Sequence, residues 1–312
     1  MTNLNNQLKE FKNTIKVERS KLLPSPFDMV YKNFEKLGYH KQNEQFFYDN
    51  ASIIIDELRN QSWIEFKKIE KEFSKKLYSH LLDQDSENYK NMTVKEGIEK
   101  FTSKHTDEIY ALQLSNTQSR RSRAGKEFES IIELVLMGAN IEFVTQGSIG
   151  SGVFESSELA KLVDCVVPGA AEYNLNKRNT SLISAKTSLR ERWQEVGDEM
   201  SRTKAKEMYL VTLDESISEK TLKLIEKNNI IIVTTKSVID KNYLNSSNVI
   251  SFEDMLNELH IQLLQWNNYG YPATELNNKK ELYQTLIEKY DGNMFVRNYY
   301  ENIFSLYIIQ IS

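Results

Sequence analysis

At 312 residues, with 40% apolar and 11% aromatic side chains, the chain has enough apolar mass for one large core or two smaller ones, which excludes a disordered polymer. A net charge of −4 excludes bulk positive charge as a route to nucleic acid and leaves only local patches for that task. One cysteine, Cys165, excludes an internal disulfide and a cysteine-rich zinc site; no run approaches a membrane span, and the start, Met-Thr-Asn-Leu-Asn-Asn-Gln, is unlike a signal peptide, so the expectation is a cytoplasmic protein with no membrane partner.

Residues 1–115 read as helical, with apolar residues at helical spacing through Leu4 to Ile15, Phe47 to Ile69 and Phe73 to Leu82, and a break at Pro24 and Pro26. Between 116 and 240 the periods alternate. A helix from Gly125 to Leu136 precedes strands near Ile141 to Thr145, Leu159 to Val167 and Ser181 to Lys186. Trp193, Val196 and Met200 then fall three and four apart, which predicts an amphipathic helix after Arg190. A strand at Met208 to Leu213, a helix at Glu219 to Lys227 and a strand at Ile230 to Thr234 complete an α/β pattern. Residues 241–312 return to helix, with Ser251 and Asp254 spaced as a capping box and Asp291-Gly292 as an interruption. The glycines of Gly147-Ser-Ile-Gly-Ser-Gly152 have neither Walker nor dinucleotide spacing, and the four histidines are scattered.

Chemistry concentrates in the middle region. Asp164 sits inside the apolar run Leu162-Val-Asp-Cys-Val-Val167, Ser184-Ala-Lys186 lies on the next strand, and Glu199 follows Lys186 with twelve residues between. Strand alternation makes Ser184 and Lys186 neighbours on one face, and Glu199 lies beside the apolar stripe of its helix, so these groups can converge. Two carboxylates suit a hard divalent cation, and an ammonium suits a nucleophilic water and the charge that builds on a phosphate under attack. On spacing alone the plainer reading of the same residues is a strand-end acid, a solvated lysine and a helix glutamate. Alternation aims Cys165 to the face opposite Asp164, as a packed core thiol. Basic residues gather in two places, Arg120, Arg121, Arg123 and Lys126, and Lys186, Arg190, Arg192, Arg202, Lys204 and Lys206.

Asp, then Ser-x-Lys, then Glu, with Thr-Ser-Leu-Arg-Glu-Arg-Trp directly after the lysine, resembles the PD-(D/E)XK type II restriction endonucleases of the SsoII, PspGI and EcoRII catalytic-domain group. A second block, Ser119-Arg-Arg-Ser-Arg-Ala-Gly-Lys-Glu-Phe-Glu129, is similar to an Arg-Ala-Gly and acidic-helix block of that group. Val163 stands where the superfamily has its proline, and Ser184 replaces the usual acid, as is normal in this subgroup. The resemblance implies a mixed-sheet nuclease core over 116–240, flanked by a helical N-terminal region that touches DNA and a helical C-terminal region that is a candidate dimer contact.

It further implies Mg2+-dependent hydrolysis of double-stranded DNA, leaving 5′-phosphate ends, at a palindromic CC(N)GG-like site. Asp164 and Glu199 would hold metal, Lys186 would support the nucleophile with Ser184 beside it, and Glu129 would sit near the metal or serve a second one. Arg190, Glu191 and Arg192 would read C·G pairs in the major groove; a salt-bridged helix start is the plainer reading of that run. Arg121 and Arg123 would contact phosphates. Arg59 and Trp63, four apart on a helix, would hold a flipped central pair, although a tryptophan there also suits a helical core. Cutting both strands of a palindrome needs two sites related by a two-fold axis, hence a homodimer, and a cognate DNA methyltransferase is the expected genetic partner. A non-cleaving DNA-binding or scaffold protein on the same fold, and a repair or recombination nuclease, are the alternatives; the complete Asp164, Lys186 and Glu199 set favours cleavage.

Overall fold

Prolines and apolar spacing set the N-terminal helices of the computed structural model, which describes residues 2–84, 86–145, 159, 163–189, 203, 206–244, 246–267 and 269–309. Helix α1 (Thr2–Leu22) stops before Pro24, and α2 (Pro26–Lys36) starts on Pro26, where the missing N–H costs no hydrogen bond. The apolar stretches read as two helices form one, α3 (Glu44–Asp83), with a non-helical residue at Asn50. Helix α4 (Val94–Lys104) is capped by the reciprocal Thr93 and Glu96 pair, and α5 runs over Thr106–Gly138. The helix predicted from Gly125 thus begins nineteen residues earlier, through a polar stretch that lacks apolar periodicity. There Arg120 grips Glu70 through its Nε at 3.0 and 2.8 Å.

By contacts the chain forms two compact units, 1–33 with 59–127 and 34–58 with 128–312. Residues 34–58 group with 128–312, and α3 and α5 each contribute to both units. The first unit has its own core of Phe11, Ile15, Phe73, Leu77, Leu81 and Leu112.

The second unit holds a six-stranded sheet in the order β1 (Val144–Thr145), β2 (Cys165–Val167), β3 (Ser181–Lys186), β4 (Met208–Thr212), β5 (Ile230–Thr234), β6 (Val249–Ser251). The first three strands are antiparallel neighbours and the last four parallel ones, so the sheet is mixed, as expected. Helix α6 (Ala170–Leu175) lies between β2 and β3, α7 (Glu219–Lys227) between β4 and β5, and α8 (Lys236–Asn242) between β5 and β6. Residues of one pleat face, Leu182, Met208, Leu210, Ile230, Ile232 and Val249, form a core with Ile225 of α7 and Val238 of α8. On the other face Tyr209 donates to Glu258 Oε2 of α9 (Phe252–Leu263) at 2.7 Å.

The C-terminal helices α10 (Ala273–Lys289) and α11 (Met294–Ile309) pack around a buried charge cluster. Lys279 Nζ lies 2.6 Å from Glu142 Oε1 and 2.7 Å from Glu172 Oε1, and the Tyr283 and Tyr307 hydroxyls also donate to Glu142. Among the described residues no helix is long and apolar enough to cross a membrane.

Candidate active site

Asp164 stands one residue before β2, where the antiparallel register of Cys165 with Ile183 sets it opposite Ser184. Its N–H donates to the Ile183 carbonyl at 2.9 Å, and its Oδ2 accepts the Ala185 N–H at 2.7 Å. Backbone of β3 therefore fixes the carboxylate. Lys186, the last residue of β3, projects on the same face and brings Nζ to 3.6 Å from that Oδ2. The lysine side chain is 16% exposed and the aspartate 31%, so the pair is partly open to solvent. Ser184 is fully buried one step back along β3. Cys165, on the opposite face, is buried, and burial followed by the charges of Glu133 and Asp164 pushes its thiol well above the usual range, so it is no nucleophile.

Glu129 is half-buried on α5. One turn on is an acid that sequence reasoning missed: Glu133, whose carboxyl is pushed up to about 7, first by burial and then by Glu129, against Lys289. An acid pair four apart on an otherwise apolar helix face was the signal available. Glu199, Arg190, Glu191 and Arg192 lie outside the described residues. Among the described residues no three acids, histidines or cysteines group as a metal-ligand set. Asp164 and Glu129 offer hard oxygen donors, a chemistry that fits a divalent cation of the magnesium kind.

The first unit carries the remaining predicted residues. Arg59 and Trp63 are both exposed on α3, Trp63 to 40%. Trp63 is therefore not core; its ring stacks on buried Phe66 at 5.7 Å between centroids and 22° between planes, and the Lys67 ammonium lies 5.7 Å from it. Arg121 is exposed. Arg123 departs from expectation. It is 8% exposed, its Nε donates to Glu127 Oε1 at 2.7 Å, its terminal nitrogens donate to the Pro24 and Ser25 carbonyls, and its guanidinium lies 5.2 Å from the Phe66 centroid. A guanidinium so engaged joins α5 to the turn before α2, and we assign it a structural role instead of the expected phosphate contact.

A mixed sheet with an aspartate before its second strand and a lysine ending its third has the layout of the PD-(D/E)XK nucleases. The family described as EcoRII C terminal matches residues 87–256, more than half of the chain. The type II restriction enzyme SsoII of Shigella sonnei is 47% identical over 296 residues, covering 94% of this chain and 95% of that enzyme. Metal-depleted Ecl18kI in complex with uncleaved, modified DNA superposes with a TM-score of 0.90 at 45% identity, covering 96% of this chain and 99% of that one. A restriction endonuclease PspGI–substrate DNA complex, at 17% identity and a TM-score of 0.55 over 78% of this chain and 94% of that one, shares the fold. The chain belongs to the EcoRII C-terminal family of restriction endonucleases. It is a type II restriction endonuclease, a DNA-binding hydrolase of the kind that needs a divalent metal.

Proposed function

We propose that this endonuclease is a cytoplasmic, Mg2+-dependent homodimer that cuts both strands of a palindromic CC(N)GG-like site in double-stranded DNA, beside a cognate methyltransferase. The observation that carries the catalytic part is the Asp164 carboxylate, pinned by the Ala185 N–H with Lys186 Nζ 3.6 Å away. Asp164 and Glu199 hold the metal, and Glu129 supports it or a second one. The chemistry a bound Mg2+ supplies is charge stabilisation at the phosphate and acidification of water. Lys186 orients the water and meets the developing negative charge, while Asp164, fixed by backbone, keeps the lysine ammonium on the reacting side. Ser184 packs below this pair. Digestion of a sequenced plasmid with Mg2+ and mapping of the ends tests the site and the 5′-phosphate product; sedimentation with and without cognate duplex tests the dimer.

Arg190, Glu191 and Arg192 read the C·G pairs, since arginine bonds guanine O6 and N7 together and glutamate accepts from cytosine N4. Arg190→Ala or Arg192→Ala is expected to cost about 1–3 kcal/mol per half-site and to erase preference for the cognate duplex, while salt-dependent nonspecific binding persists. Arg121→Ala, in contrast, weakens binding to every sequence if Arg121 neutralises a phosphate. Titration of cognate and scrambled duplexes measures both, and unchanged preference in the Arg190 and Arg192 variants returns that run to a salt-bridged helix start.

Trp63 and Arg59 hold an extruded central base. The exposure of Trp63 supports this, because an indole that is 40% exposed and stacked on a buried ring can meet a base. A 2-aminopurine at the central position is expected to brighten when wild-type protein binds and to brighten less with Trp63→Ala. A probe that stays dark with the wild type rules out flipping and favours an uninterrupted CCGG core.

A further inference from the structure

Beyond β3 the chain runs Lys186-Thr187-Ser188-Leu189, and Thr187 and Ser188 are only half-buried. A cleft of about 480 Å3 opens beside Ser188 and the first turn of α7, so packing alone does not hold this stretch on that side. At its end the Leu189 N–H donates to Asp214 Oδ2 at 3.0 Å, with the Leu189 side chain buried in the sheet core. Asp214 is itself held by its own turn. Its N–H donates to Thr212 Oγ1 at 3.2 Å, and its Oδ1 accepts the Ser216 N–H at 3.3 Å. The Tyr243 hydroxyl accepts the Ile217 N–H at 2.8 Å and donates to the Asp214 carbonyl at 3.4 Å.

The segment is therefore tied at one end to β4 and at the other to the turn that follows it. Lys186 pairs with Thr212 in the parallel register, and Leu189 is tied to Asp214 two residues further on. Only Thr187 and Ser188 lie between the ties, and Arg190 follows Leu189 directly in the chain. The Asp214 carboxylate, together with the buried Leu189 side chain, thus limits how far the lysine can move against Asp164. Displacement of a reacting group by an ångström is enough to cost about 100-fold in rate.

We propose that Asp214 is a positioning residue: its hydrogen bond to Leu189 holds the Lys186–Leu189 segment so that cleavage and base reading stay in register. This rests on the roles of Lys186 and Arg190 given above. The decisive variant is Asp214→Asn. Its single amide oxygen can accept from the Ser216 N–H or from the Leu189 N–H but not from both, so the turn and the tether can no longer be held together. Asp214→Ala loses both.

The full-length enzyme is compared with Asp214→Asn in single-turnover cleavage of a cognate duplex and of one with a single outer C·G pair exchanged, alongside thermal melting. The expected result is a fall of about 10- to 100-fold in the cognate rate, a cognate-to-exchanged ratio narrowed by about 10-fold, and a melting temperature close to wild type. Wild-type rate and ratio in Asp214→Asn overturn the proposal. So does a rate loss with an unchanged ratio that follows the melting temperature through Asp214→Asn and Asp214→Ala, which makes Asp214 a turn residue only. Lys186→Ala and Arg190→Ala, run in parallel, separate the two failures: if those variants cleave and discriminate as wild type, the underlying reading fails and takes the tether's role with it.

Discussion

Lys186→Ala is expected to cut the cleavage rate at least about a thousandfold, or ~4 kcal/mol of transition-state stabilisation, while specific binding in Ca2+ is largely retained. The ammonium is 3.6 Å from Asp164 Oδ2, and both side chains are partly exposed, which suits an approaching phosphate. Asp164→Ala should abolish cleavage as well, but that variant does two things. It removes a metal-binding charge, and it orphans the Ala185 N–H that donates to Oδ2 at 2.7 Å, a loss worth about 1–3 kcal/mol of stability when the group is buried. Asp164→Asn separates them, because the amide oxygen can still accept from Ala185 while the charge is gone. An inactive, normally melting Asp164→Asn that still binds in Ca2+ assigns the loss to chemistry. Cleavage retained in either Asp164 variant sinks the site. Glu129→Ala should lose less, since Glu129 lies on α5 rather than on the β2–β3 pair.

The Asp164–Lys186 juxtaposition was legible because it depends on pleat alternation and one antiparallel register, both local consequences of apolar runs. Strands β3 and β5 and helix α7 have the bounds read from the sequence, and Ser218 caps α7 by accepting from the Thr221 N–H. Strand β6 escaped because it is three residues, Val249–Ser251, and its last residue doubles as the cap of α9. Helix α5 was read too short because Ser115-Asn-Thr-Gln-Ser119 offers no apolar stripe; Arg19 holds Asn116 Oδ1 at 2.6 Å there, a contact of two residues far apart in sequence. Arg123 shows the same limit. A basic run looks alike whether its members face phosphate or, like Arg123, turn inward onto a carbonyl pair and a ring. Asp214 gave no signal, since its partner is a backbone N–H on another strand's exit. The family resemblance rested on blocks of side chains, and such blocks carry roles more readily than positions.

Lys279→Met is expected to lower the unfolding free energy by about 3–5 kcal/mol, read as a shift in urea midpoint at pH 7. Lys279 is 5% exposed between Glu142 and Glu172, so its loss leaves two buried carboxylates with no ammonium between them. Burial pulls the Lys279 ammonium down, yet the two carboxylates together hold it above its ordinary range, so it stays charged at neutral pH. The penalty measures the orphaned charges rather than the net worth of the cluster. A variant with Lys279→Met, Glu142→Gln and Glu172→Gln together should recover part of the loss, as neutral amides are far cheaper to bury. The surrounding tyrosines give a second, independent reading of the same packing. Burial, then carboxylate and phenol neighbours, raises the Tyr283, Tyr299, Tyr300 and Tyr307 hydroxyls well above their usual value. A raised folded value means that the folded state binds these protons more tightly, so their stabilisation is complete below about pH 10, the unfolded value, and is lost as pH climbs above it. Each tyrosine then contributes a slope of up to about 1.4 kcal/mol per pH unit, and the wild-type midpoint should fall steeply on the alkaline side with little change between pH 7 and 9 from this source. A flat alkaline profile would mean that these phenols open to water without unfolding, and a Lys279→Met variant as stable as wild type would mean that solvent already reaches Glu142 and Glu172.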